Sequence, residues 1–150
     1  MARRSHGLVR SAGDRDEPPV STRTARALWE PGPLQCVVEV GGFSILVDEP
    51  ESVGGTGAGP QPTDLFLASV ASCFALALAY SAGKRGITLT GVRVDAVGNY
   101  AGPSFDAVRI KVEVTGPTPD ELPDLIAAAE RVCYVSNTLR AGADITVTAE

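Results

Sequence analysis

The run Pro62-Thr-Asp-Leu-Phe-Leu-Ala-Ser-Val-Ala-Ser-Cys73-Phe-Ala-Leu-Ala-Leu-Ala-Tyr-Ser-Ala-Gly83 decides the fold. Pro62 suits the first turn of a helix, where a missing N–H costs nothing. Gly83 and Gly86 supply stops at the other end. No Asp, Glu, Lys or Arg falls between Leu65 and Ala82. A run of that length sits at the lower edge of what spans a bilayer. Its many Ala and Ser residues and its cysteine make it only weakly apolar, and strand-like alternation flanks it on both sides. It therefore reads as a buried central helix, apolar all round, rather than as a membrane span. A single sheet covers one side of such a helix. A partner subunit is the simplest cover for the other side, so a homodimer is expected.

Outward from this helix the pattern turns to period 2. Upstream, Thr22 to Trp29 suits a first strand, closed by Glu30-Pro-Gly-Pro33. Leu34, Cys36, Val38 and Val40 alternate with Gln35, Val37 and Glu39 in a second strand. Gly41-Gly42 is a two-residue hairpin turn, and Phe43 to Val47 returns. Downstream, Ile87 to Val97 reads as a strand. Past a turn at Tyr100-Ala-Gly-Pro103, Val108, Ile110, Val112 and Val114 face in while Arg109, Lys111 and Glu113 face out. Thr118-Pro-Asp-Glu121 is a capping box opening a second helix to about Val132, with Pro123 able to shift its start. Helical character ends around Asn137 to Arg140 with Gly142 as a stop. Ile145 and Val147, alternating with Thr146 and Thr148, suggest a last strand. Grouped rather than alternating strands and helices argue an α+β fold.

The 150 residues are one domain's worth. Residues 1–20 carry Arg3, Arg4, Arg10 and Arg15 among Ser, Gly and Pro and are expected to be a disordered tail. That leaves 21–150 as a single domain. The tail also holds Asp14, Asp16 and Glu17, which count against a nucleic-acid arm. The net charge of −5 argues against nucleic acid or anionic lipid as the main partner. No apolar segment near the N-terminus marks a secretory signal, so a cytoplasmic location is expected. The one histidine, His6, lies in the tail. A Cys/His zinc site and a Ser-His-Asp triad both lack their imidazole. Gly54, Gly55, Gly57 and Gly59 form a Gly-rich loop, but no Lys-Ser/Thr pair follows, so a phosphate cradle fails at its defining residues.

Three cysteines remain, an odd number that does not suggest a secreted disulfide framework. Free cysteine is commonly a small buried hydrophobe, a reading that fits Cys36 on its strand and Cys73 in its apolar helix. Cys133 is different. If the helix breaks near Val132, Cys133 opens a new helical turn, whose free N–H groups favour a thiolate. Ser136, Asn137 and Arg140 follow on one face. Cys73 and Cys133 are 60 positions apart (133 − 73), too far for a local CxxC site. They become a redox couple only if the fold joins them.

Gly59-Pro-Gln-Pro-Thr-Asp-Leu-Phe-Leu-Ala-Ser-Val-Ala-Ser-Cys73 resembles the first cysteine motif of the OsmC/Ohr family, the osmotically induced and organic hydroperoxide resistance proteins. Val132-Cys-Tyr-Val-Ser-Asn-Thr-Leu139 resembles the second. Gly41-Gly42, Val47-Asp-Glu-Pro50 and Gly54-Gly55 fit as well, and the resemblance covers roughly residues 22–150. It implies an intertwined α+β homodimer with its sheet packed on a long buried central helix. It also implies a thiol peroxidase for organic hydroperoxides, with Cys73 peroxidatic and Cys133 resolving. Cys73 would become a sulfenic acid and condense with Cys133 to a disulfide. A dithiol reductant, lipoyl-type in family members of the Ohr kind, would restore the pair, and the resemblance implies neither a metal nor a bound organic cofactor.

Two departures bear on activation. Tyr134 stands where the family usually has Pro, which would let the preceding helix run on through Cys133. Thr63 stands at the position of a family Glu, leaving Asp64 as the nearest carboxylate, and Arg23 and Arg26 as the only arginines of the N-terminal strand region. These three are the candidate activators of Cys73. On a continuous helix Asp64 lies about 180° round and ~13 Å along from Cys73. A second function class is therefore carried forward: a non-catalytic OsmC-like protein that binds a small molecule in the dimer cleft or serves a stress response.

Overall fold

The computed structural model describes residues 21–149, so the reading of residues 1–20 as a tail lies outside the described residues. The elements are β1 (Ala25–Leu28), β2 (Gln35–Val40), β3 (Phe43–Asp48), a 3-10 turn (Glu51–Val53), α1 (Pro62–Arg85), β4 (Gly91–Ala101), β5 (Ser104–Thr115), α2 (Leu122–Val132) and α3 (Tyr134–Ala141). The class is α+β, as the grouping of strands and helices implied.

The strands form two antiparallel sheets, β1-β2-β3 and the hairpin β4-β5. In the first, Val40 faces Phe43 across the turn. Gly41 (φ 57°) and Gly42 (φ 83°) are both left-handed there, which favours glycine at each position. In the second, inward Val92 and Val94 stand opposite Val114 and Val112. Here the expected alternation is observed: Ile110, Val112 and Val114 pack inward while Arg109, Lys111 and Glu113 are exposed.

Helix α1 starts at Pro62 because Gln61 is extended and its N–H donates to the Asp64 carboxylate (3.0 Å). It ends at Gly86 (φ 68°), whose N–H returns to the last turn. By length and composition it could cross a membrane. In the fold, Phe74, Ala77, Leu78 and Ala82 instead form the core with Leu125, Ala129 and Cys133, covered by the β4-β5 hairpin. Each large apolar side chain among them contributes about 1.5–3 kcal/mol when fully buried. Among the described residues only this face is covered: Leu76 and Tyr80 on α1 are 71% and 57% exposed.

One sheet packs on α1, as expected, and it is the β4-β5 hairpin; β1-β2-β3 packs extensively on neither α1 nor α2. Its Leu28, Val37, Val40 and Leu46 stay exposed. The strand expected at Ile145 and Val147 does not form, because no sheet edge among the described residues pairs with them; they are 88% and 92% exposed. Of the two readings open at Cys133, the helix does not take the continuous one. It breaks there, at φ −78° and ψ 100°, and α3 begins at Tyr134 without a proline. The joint is fixed from both sides: the Asn137 side-chain amide donates to the Arg131 carbonyl (3.2 Å), and its backbone N–H donates to the Cys133 carbonyl (3.1 Å).

The Gly-rich loop is pinned to the end of β3. Asp48 is buried, and its carboxylate accepts from the Thr56 hydroxyl, the Thr56 N–H (3.1 Å) and the Ala58 N–H (2.9 Å). Gly55 packs so closely that an added Cβ would lie 1.8 Å from the Glu49 carbonyl oxygen.

Candidate functional site: a thiol pair beside an apolar cavity

Cys133 sits at the joint of α2 and α3, capping the end of one helix and the start of the next, and is fully buried. Cys73 lies mid-way along α1, partly exposed, and packs against the same core cluster. The fold thus brings together two residues that are distant in sequence. The Cys73 thiol is among the neighbours that act on the Cys133 sulfur. Both are free thiols. Cys36, also free, is on the separate N-terminal sheet, away from the pair.

Two opposing influences set the Cys133 thiol. Burial is the largest and pushes its pKa up. The Ser136 hydroxyl, the Ser136 N–H, the Cys73 thiol and the Val135 N–H together outweigh it, so the thiol is held below its ordinary value of 9.0. In the reduced state the Ser136 hydroxyl donates to the Cys133 carbonyl (3.3 Å), and no tight side-chain hydrogen bond caps α3. The donors around the sulfur act on it as neighbours at the amino end of a helix rather than as short bonds.

The three candidate activators are not at the pair in this chain. Asp64 is spent on the α1 cap. Arg26 faces Glu39 across β1 and β2 at 4.0 Å, and Arg23 precedes the same sheet, which lies apart from α1. Arg140 pairs with Glu130 (3.1 Å).

Beside the pair lies an apolar cavity of about 610 Å³, between the start of α1, the β4-β5 turn and α3. Val70, three residues before Cys73, and Ser136, three residues after Cys133, are on its wall, and Phe66, Phe105, Val108 and Leu139 also line it. Phe105 packs against Tyr100 and Phe66, with ring centres 4.7 and 5.9 Å apart. At the rim the Thr63 and Tyr100 hydroxyls are 2.7 Å apart, so the residue at the family's Glu position is engaged with the hairpin. Sequence reasoning singles out Ser136 but misses this aromatic wall. A signal for it exists: aromatic residues bracket the Tyr100–Pro103 turn, and Phe66 stands two helical turns before Cys73. Among the described residues no group of His, Cys, Asp and Glu has the arrangement of a metal site.

The chain is thus an α+β protein that brings two thiols together, one on a central helix and one at a helix break. Residues 55–148 match the family described as OsmC-like protein, and this chain belongs to that family. It is 34% identical over 104 residues to an organic hydroperoxide resistance protein of Xanthomonas axonopodis pv. citri, covering 66% of this chain and 73% of that one. Among solved structures it is similar to an organic hydroperoxide resistance protein OsmC of Legionella pneumophila, at 27% identity and a TM-score of 0.65 over 81% of this chain and 91% of that chain. Another is an organic hydroperoxide resistance protein of Elizabethkingia anophelis, at 25% identity and a TM-score of 0.64 over 84% and 93%.

Proposed function

We propose that this protein is a cysteine-based peroxidase that reduces organic hydroperoxides. The observation that carries the reading is the meeting of Cys73 and Cys133 in one cluster next to an apolar cavity. The relatives named for organic hydroperoxide resistance support a role against peroxide stress. Cys73 as thiolate attacks the distal oxygen of ROOH; the O–O bond breaks and ROH leaves after taking a proton. The resulting Cys73 sulfenic acid is attacked by the Cys133 thiolate; the S–O bond breaks, the Cys73–Cys133 disulfide forms, and hydroxide leaves as water after taking a proton. A dithiol, lipoyl-type by family resemblance, reduces the disulfide. The cavity accepts the apolar R group, and no metal or organic cofactor takes part in these steps.

The active form is a homodimer in this reading. Two apolar faces are uncovered on one chain: the Leu76 and Tyr80 side of α1, and the β1-β2-β3 sheet. A second copy covers both and offers an edge to residues 143–149. It also brings a second set of N-terminal strands, and with them the counterparts of Arg23 and Arg26, into play as candidates for activating Cys73. The protein works as a single domain from residue 21 onward, in the cytoplasm, with neither nucleic acid nor membrane as its partner.

Peroxide treatment followed by mass spectrometry of non-reduced peptides tests the reading. A Cys73–Cys133 disulfide forms faster with an organic hydroperoxide than with H2O2, and Cys73→Ser consumes no peroxide. Free thiols after treatment, or an active Cys73→Ser, would sink it. The engagement of Asp64 in the helix cap and of Thr63 with Tyr100 favours a second reading, a non-catalytic binder of small apolar molecules in the same cavity. That reading requires ligand binding without thiol oxidation.

A further inference from the structure

The two sulfurs of the pair stand in unlike surroundings. Cys133 is fully buried at the amino end of α3, facing donors that its own helix leaves free. Ser136, itself 5% exposed, lies beside it and forms part of the cavity wall. Cys73 is partly exposed in the middle of α1, where the neighbouring N–H groups are already used by the helix. A disulfide between them is therefore polar in its chemistry although symmetric in its bond. The thiol that is better held as a thiolate is the better leaving group, and Cys133, fully buried within its own chain, is closed to an incoming thiolate, which leaves the Cys73 sulfur.

We propose that the external dithiol attacks the disulfide at the Cys73 sulfur, and that Cys133 departs as a thiolate received by Ser136 and the first turn of α3. One thiolate of the reductant forms a bond to Cys73 Sγ. The Cys73–Cys133 bond breaks, and its electron pair leaves on Cys133 Sγ. The second thiol of the reductant, after losing its proton, attacks the reductant's own sulfur in the mixed disulfide and expels Cys73 as a thiolate. The reductant ends as a cyclic disulfide, two electrons poorer, and both protein thiolates take up protons according to pH. Ser136 is a positioning residue here, acting on the leaving sulfur and not on the substrate. The lowered pKa of Cys133 agrees with this assignment.

The inference rests on the peroxidase reading only for the source of the disulfide, and diamide forms the same bond without any hydroperoxide. The full chain is oxidised with diamide, mixed with dithiothreitol, quenched in acid at early times, alkylated and mapped by mass spectrometry. The expected mixed disulfide is on Cys73, with alkylated Cys133, in about ten-fold excess over the reverse adduct, the ratio that one hydrogen bond to a charged atom gives. Ser136→Ala should slow this reduction by about the same factor. It should also raise the midpoint of the Cys133 thiolate absorbance, read in a Cys36→Ser/Cys73→Ser background, while the thermal midpoint stays within a few degrees. Equal adducts, or an excess on Cys133, would overturn the proposal whether or not the Ser136 variant folds. So would a Ser136→Ala variant that folds and keeps both the parent rate and the parent titration. Attack at Cys73 in a protein that ignores hydroperoxides would leave the proposal standing and remove the peroxidase reading. If diamide forms no Cys73–Cys133 disulfide, both fall.

Discussion

Gly55→Ala should damage the protein far more than its size suggests. The added methyl would sit 1.8 Å from the Glu49 carbonyl oxygen and 2.6 Å from the Asp48 Oδ1 atom, where ordinary contact begins at 3.4 Å. The loop must therefore open by about 1.6 Å (3.4 − 1.8) against backbone, which does not swing aside as a side chain would. Overpacking of this kind costs roughly 1–3 kcal/mol, and losing the Gly57 N–H bond to the Glu49 carbonyl adds about 1 kcal/mol. The total, about 2–4 kcal/mol, lowers the thermal midpoint by roughly 4–16 °C for a chain of this length. Gly83→Ala is the control. Gly83 lies inside α1 with nothing within 4 Å of an added methyl and no positive φ. Relief of backbone entropy should there stabilise by about 0.5–1 kcal/mol. Circular dichroism melts of the two variants beside the parent decide the matter. An unchanged or raised midpoint for Gly55→Ala would refute the claim that this loop is glycine-rich for packing, and would reopen a ligand-binding role for it.

Other expectations follow from the same geometry. Asp48 has its pKa lowered from 3.8, chiefly by the Thr56 hydroxyl, against an opposing effect of burial and with further help from the Ala58, Thr56 and Glu49 N–H groups. Because the folded value is the lower one, the carboxylate contributes stability above the unfolded value and loses it as pH falls through the folded one. Melts between about pH 6 and pH 2 should therefore fall more steeply for the parent than for Asp48→Asn, and parallel curves would contradict the clasp. Leu125→Ala removes a fully buried side chain from the centre of the core and should cost about 2.7–5 kcal/mol in chemical denaturation; a cost under ~1 kcal/mol would mean that the helices pack elsewhere. Tyr134→Pro should be tolerated, with a gain of about 0.4–1 kcal/mol, since the helix already breaks at Cys133 in an extended conformation that a following proline accepts. A destabilised Tyr134→Pro would show that the Tyr134 N–H is needed.

What the sequence made legible was whatever depends on local pattern. The α1 limits could be read because Pro62 and Gly86 punctuate a run uncharged from Leu65 to Ala82, and the β5 face because Val108, Ile110, Val112 and Val114 alternate with Arg109, Lys111 and Glu113. Where tertiary contacts decide, the pattern misled. Ile145 and Val147 have strand periodicity, yet periodicity cannot supply the edge that a strand pairs with. Tyr134 removes the local stop signal at Cys133, and the break forms anyway because Asn137, three residues further on, satisfies the Arg131 carbonyl. The same limit governs the site. Two motifs named Cys73 and Cys133, but only the folded chain shows that their environments differ, one thiol sealed at a helix start and the other open on a helix flank. That asymmetry depends on burial and on which backbone N–H groups are left free. Neither is written in the identity of the two residues, and both are what a reductant would meet.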